Sequence, residues 1–245
     1  MFENQGLSEI FINIFDNTKI KWGDVIMKKR LILLTKSRKK GGYCTAGIDI
    51  ENGKWIRIVS DGKDCNGDEM LDEHLRYDNG GMAQILDIIE VECIEHNPNY
   101  YQPENYVFDS SIKMHKIGST TIDKVLKVHP FENKDTIFYD TSYSIPGDFV
   151  KKIDPNDKYS LILIKVTNPQ VDVKTWEDGR KSVTLDFLYN FKYYKYFRIT
   201  DGLENGYKEK PDDIYTLPGE YAFVISLGEL WDNKHYKLVS KIFSI

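Results

Sequence analysis

Cysteine is scarce in this chain: three residues in 245, Cys44, Cys65 and Cys93, odd in number and widely spaced. That excludes a disulfide framework and any C-x-x-C zinc site, and points to a reducing, cytoplasmic setting. No apolar run approaches the ~20 residues a membrane helix needs, so a membrane partner is not expected. The first 20 residues carry Glu3, Glu9 and Asp16 and no basic n-region, unlike a secretory signal. Catalytic signatures are missing as well. There is no G-x-S-x-G, Walker A or G-x-G-x-x-G sequence, and the five histidines, at 74, 96, 115, 129 and 235, form no H-x-H or H-E-x-x-H pair. Cys44 paired with a distant histidine would make a nucleophile. Its place in the strand-like Tyr43-Cys-Thr-Ala favours a small buried thiol. The oxygen-rich Asp61–Glu69 stretch lacks the acid spacing of a calcium loop and reads as a polar turn. No catalytic residue, metal or cofactor is therefore expected.

What is abundant is tyrosine: sixteen, with twelve phenylalanines and four tryptophans. Aromatic and β-branched residues favour pleated surfaces. They cluster in Leu31–Leu34, Lys54–Ser60, Ile85–Ile94, Ser160–Val166, Ser182–Tyr189, Tyr193–Thr200, Tyr221–Leu227 and His235–Phe243. Turn pairs such as Asn52-Gly53, Asp61-Gly62 and Asp201-Gly202 separate these runs, and Asp178-Gly179 predicts a hairpin joining Val171–Trp176 to Ser182–Tyr189. Helices are expected only over Thr120–Val128, with a second short one over Glu69–Tyr77. The reading is an all-β chain built as barrels. Pro146, Gly147, Pro155 and Asn156 mark a boundary, giving units at 27–150 and 151–245. Residues 1–26 hold a weak amphipathic pattern, Ile10, Phe11, Ile14 and Phe15, and read as a peripheral arm or a start-site artefact.

Net charge is 33 − 38 = −5, but it is unevenly spread. Lys28, Lys29, Arg30, Lys36, Arg38, Lys39 and Lys40 precede Gly41-Gly42 without an intervening acid. Cations beside a Gly-Gly loop suit phosphates, because glycine lets backbone N–H groups approach an anion. A solvated strand end balancing the acidic Asp49–Glu73 stretch is the competing explanation. The second feature is Phe187–Arg198, with seven aromatic and three basic residues. Strict alternation places Tyr194, Tyr196 and Arg198 on one strand face and Tyr193, Lys195 and Phe197 on the other. Aromatics between cations are how OB-type sheets stack single-stranded bases; an ordinary core face explains the same pattern. Gln102-Pro103-Glu104-Asn105 either lines a site or fixes a loop by local hydrogen bonds.

Several stretches taken in order resemble the prokaryotic dual-OB-containing domain family. They are Leu31–Gly47, Trp55-Ile-Arg57 with Val59-Ser60, Leu75–Gly80, Leu86–Val91 and Gln102–Asn105. In the second half they are Phe187–Asn190, Tyr196–Asp201, Ser226–Glu229 and Tyr236–Val239. The resemblance covers about residues 27–245. It implies two tandem OB-like small barrels and a role in binding or sensing nucleic acid, in a defence or mobile-element context. Two positions depart from the pattern: Gly202 stands where a proline is expected, and Phe191 where a hairpin glycine is usual. The combined expectation is a non-catalytic module for single-stranded nucleic acid, with Lys36, Arg38, Lys39, Lys40 and Arg57 on phosphates and Tyr194, Tyr196 and Arg198 as the stacking platform. The alternatives are a small-ligand, nucleotide sensor using a cleft between the barrels, and an adaptor that docks a partner enzyme.

Overall fold

A computed structural model describes residues 27–39, 41–63 and 69–245. The expected arm at 1–26, Lys40 and Cys65 lie outside the described residues. The first barrel uses β1 (Met27–Lys39), β2 (Gly42–Asp49), β3 (Trp55–Val59), β4 (Asp87–His96) and β5 (Asn105–Phe108). The strands are ordered β1-β2-β3-β5-β4, and β4 returns to β1 to close the barrel. All the pairings are antiparallel except β3–β5, which is parallel. Gly47 is required by the close approach of β2 to β1: a Cβ there would stand 2.0 Å from the Ile32 carbonyl oxygen. β6 (His115–Ser119) extends the sheet beside β4, and α1 (Ile122–Val128) follows.

The chain then crosses to the second barrel through β7 (Ser144–Pro146) and α2 (Gly147–Lys152). Ile137, Phe138, Ile145 and Val150 from this crossing are buried in the second core. That barrel contains β8 (Leu161–Thr167), β9 (Gln170–Thr175), β10 (Lys181–Tyr189), β11 (Lys192–Ile199), β12 (Asp213–Thr216), β13 (Glu220–Trp231) and β14 (Lys234–Ser244). Its sheet runs β12-β9-β10-β11-β14-β13-β8. β8 and β9 are consecutive, joined through Asn168, which has φ 48°, and Pro169. They therefore act as one broken first strand, half bonded to β13 and half to β10. With that equivalence the second barrel repeats the strand order of the first, and β11–β14 is parallel where β3–β5 is parallel.

Burial explains the apolar runs. In β1, Leu31 and Leu33 fill the first barrel, whereas Ile32 and Leu34 face the second. In β8, Leu161 and Leu163 face the first barrel and Ile162 and Ile164 fill the second. β13 splits likewise, with Ala222 and Val224 at the interface and Phe223 and Ile225 inside. A strand buried on both faces loses its alternation and reads as a continuous hydrophobic run. Each such leucine, isoleucine or valine contributes about 1.5–3 kcal/mol of burial, so the two barrels are bound by a core and not by a linker. One polar rivet crosses the same interface. Glu132 Oε2 accepts hydrogen bonds from Trp55 Nε1 (3.0 Å), His129 Nε2 (3.2 Å) and the Leu163 N–H (2.7 Å).

The architecture is all-β with two short helices, as expected. The helix expected over Glu69–Tyr77 is a run of turns instead. Tyr43 and Met70 exchange both backbone hydrogen bonds, at 2.8 and 2.9 Å, so Met70 serves the edge of β2 and not a helical turn.

Candidate nucleic-acid interface

The aromatic hairpin β10–β11 turns at Asn190 and Phe191, with φ of 48° and 59°. Two left-handed residues in succession suit the right-handed twist of the flanking strands. Phe191 takes that conformation without glycine's freedom and is 96% exposed at the tip. Pairing is regular from Tyr189–Lys192 to Phe187–Tyr194 and resumes at Leu185–Phe197. Lys195 and Tyr196 together oppose Asp186, which makes a β-bulge. Tyr196 carries it, with φ 64°. The Tyr196 N–H donates to the Asp186 carboxylate at 2.9 Å. Burial pushes the Asp186 carboxyl pKa up, and this hydrogen bond opposes the rise.

The bulge overturns the expected face assignment. One extra residue shifts the alternation, so Tyr194 and Phe197 both point into the barrel at 0% exposure, while Tyr193, Lys195, Tyr196 and Arg198 point outward. Tyr194 stacks on Phe187 (5.6 Å, 12°), and its hydroxyl accepts the Ile137 N–H at 3.2 Å. Tyr194 is thus a core residue, and only Tyr196 and Arg198 of the expected platform lie on the open face.

That face has other members. Inward Val171 and Val173 on β9 turn Asp172 and Lys174 outward, with Trp176 just beyond the strand. Trp176 and Tyr196 are 51% and 52% exposed. With Tyr143, Asp172, Lys174, Ser182 and Thr184 they line a groove of about 370 Å³. Lys174 Nζ lies 4.6 Å from the Trp176 ring centroid, and Tyr143 meets Tyr196 edge-on at 6.3 Å. Register then places Asp172, Thr184, Arg198 and Leu238 in one row across β9, β10, β11 and β14. Neither Trp176 nor Lys174 was singled out from the sequence, although alternation with the two valines was a signal that could have found them. Tyr143 comes from a loop and left no such signal.

The basic run is distributed differently from the phosphate-binding expectation. Lys28 and Arg30 pair with Glu90, and Lys29 with Asp49. Lys36 Nζ donates to the Ala83 carbonyl at 2.9 Å, and burial lowers its pKa. Lys39 is held between Glu69 and Glu229. Arg38 is exposed and lies over the Tyr43 ring. Arg38 and Lys39 line a recess of about 180 Å³ with Gly41 and Gly42, with Asp72 in its wall. Arg57 is buried at 5% exposure and is not on the outer surface with the other cations; it lines a cavity between the barrels. In the Gln102–Asn105 loop, Asn105 Nδ2 donates to Gln102 Oε1 at 3.3 Å, and Glu104 accepts from the Ser160 N–H and hydroxyl at 2.7 and 2.8 Å.

No described helix is long and apolar enough to cross a membrane. No curated protein and no solved structure matches the sequence. A family model described as dual OB-containing domain matches residues 29–242. With the strand order of a closed five-stranded barrel repeated in its second half, the chain belongs to the dual OB-containing domain family.

Proposed function

We propose that this protein is a non-catalytic module that binds single-stranded nucleic acid on the outer face of its second barrel, in the defence or mobile-element setting that the family resemblance implies. The observation that carries the reading is the groove walled by Trp176, Tyr196 and Tyr143 with Lys174 beside it. Every base has a π-face, so such a platform accepts a strand without reading sequence, whereas a stacked duplex offers it no bases. Lys174, Lys195 and Arg198 border the same face and supply phosphate contacts.

Three phosphate contacts predict a slope of about −2 in log affinity against log salt, a loss of about 15–20-fold between ~50 and ~200 mM. Fluorescence anisotropy with labelled single-stranded DNA, single-stranded RNA and duplex DNA tests this. The expected result is salt-dependent binding to a single-stranded polymer and weaker binding to duplex. Absence of binding at low salt, or binding indifferent to salt, overturns it.

A further inference from the structure

A partly open cavity of about 200 Å³ lies between the barrels, its apolar walls interrupted by hydroxyls. Its walls come from both sides: Ser37 and Thr45 from the first barrel, and Thr200, Ser226 and Ser240 from the second. The hydroxyls are linked, Thr200 Oγ1 donating to Ser37 Oγ at 3.2 Å and Ser226 sharing a hydrogen bond with Ser240. Arg57 lines the same cavity. Its Nε is buried with no hydrogen-bond partner. Its side chain makes one hydrogen bond among the described residues, from Nη2 to Ser160 Oγ at 3.1 Å, and no described carboxylate lies within ion-pair distance. Burying a guanidinium without a direct counter-charge is unfavourable. A planar guanidinium beside rotatable hydroxyl donors on opposed walls is a receptor for an oxyanion. A tetrahedral group can meet donors on both walls at once, which a flat carboxylate does less well. At this volume the cavity accommodates a phosphate and little more than its first substituent.

We propose that the cavity between the barrels binds a phosphate group, with Arg57 as its charge partner and the wall hydroxyls as donors. The exposed Arg38 also lines the cavity and attracts anions towards it. The inference does not depend on the outer-face reading. Thr200 and Leu238 line the cavity, and Leu238 is the register partner of Arg198 on that face, so the phosphate belongs either to a free nucleotide or to the end of a bound strand.

Cys44 lines the same cavity and reports on it in the wild-type protein. Its alkylation by iodoacetamide is followed peptide by peptide, which separates it from Cys65 and Cys93. The probes are inorganic phosphate, 5′-AMP, succinate, and an oligothymidylate with and without a 5′-phosphate. A phosphate ligand at ~100 times its Kd slows Cys44 modification about 100-fold. R57M abolishes that protection. Should R57M fold poorly, T200V and S226A each weaken phosphate binding about tenfold by calorimetry. Protection by the 5′-phosphorylated strand but not its hydroxyl counterpart assigns the phosphate to a strand end; protection by 5′-AMP alone assigns it to a free nucleotide. No protection by phosphate or 5′-AMP at millimolar concentration, equal protection in R57M, or stronger protection by succinate overturns the proposal.

Discussion

Tyr194 and Tyr196 are two residues apart on one strand and should respond to substitution in opposite ways. Tyr194 is fully buried among Phe187, Phe197 and Tyr189. Truncation to alanine removes a large buried aromatic, at about 3–5 kcal/mol, and withdraws the acceptor of the buried Ile137 N–H. Tyr194→Phe isolates the second effect at about 1–3 kcal/mol. Tyr196 is half-exposed, and its removal leaves the core intact, so Tyr196→Ala should shift stability by only ~0.5 kcal/mol. If Tyr196 stacks a base, the same change weakens single-strand binding by about 1–3 kcal/mol, or ~5–150-fold in Kd. Urea titrations followed by circular dichroism give the first quantity, and anisotropy with a labelled single strand gives the second. The reasoning fails if Tyr196→Ala binds as the wild type does. It also fails if Tyr194→Phe loses binding without losing stability, because the bulge would then have been placed wrongly.

Three further outcomes follow from local chemistry. Phe191→Gly should raise stability by about 0.5–1 kcal/mol in the same titration, since it relieves a left-handed residue whose side chain is almost wholly exposed. Lys237 is buried, bonded to the carbonyls of Ile137 and Asp140 and to the Asp140 carboxylate, and burial pushes its pKa down to about 8. The unfolded chain therefore holds the extra proton between about pH 8 and 10.5, and this lysine's contribution to stability rises with pH across that window, by about 3 kcal/mol in all. Denaturation of Lys237→Met should lack that slope relative to wild type; parallel pH profiles would refute it. Glu132→Gln should cost about 2–4 kcal/mol, because one carboxylate oxygen serves three donors across the barrel interface. Burial lowers the His129 pKa, but the hydrogen bonds to Glu132 and to the Gly53 carbonyl, with the Glu132 charge, together outweigh this and leave it raised. The stabilisation it gives is present below ~6.5 and is lost as pH rises through the folded value, so Glu132→Gln should also remove that pH dependence.

The strands were legible because their signals are local. Asp178-Gly179 forms the hairpin between β9 and β10, with Gly179 at φ 78° and the Trp176 N–H bonded to the Arg180 carbonyl at 2.8 Å. The doubly buried runs in β1 and β8 read as strands for the same reason. The site was less legible because its determinants are not local. Alternation assigned Tyr194 to the wrong face, since one extra residue at the bulge inverts the parity of everything beyond it. The basic run reads in the sequence either as a phosphate site or as balanced by the Asp49–Glu73 stretch. Asp49 and Glu69 of that stretch do pair with it, but Glu90, Glu92 and Glu229 lie far along the chain and meet it only when β4 pairs with β1 and the second barrel docks. Arg57 was expected at the surface because its strand was visible and the barrel packed against it was not.

These displacements reconcile an acidic protein with the anionic partner proposed for it. Overall charge states how many acids there are, and the fold decides which cations they neutralise. In the first barrel the cations are engaged: Lys28 and Arg30 with Glu90, Lys29 with Asp49, and Lys39 with Glu69 and with Glu229 of the second barrel. On the outer face of the second barrel, Lys174, Lys195 and Arg198 have no described carboxylate within ion-pair distance, although Asp172 shares their face. Screening limits electrostatic influence to about 10 Å at ~0.1 M salt, so a strand on this face responds to the nearby cations more than to distant acids. The aromatic groove supplies attraction that salt does not weaken, which is why a modest salt slope is the expected signature here.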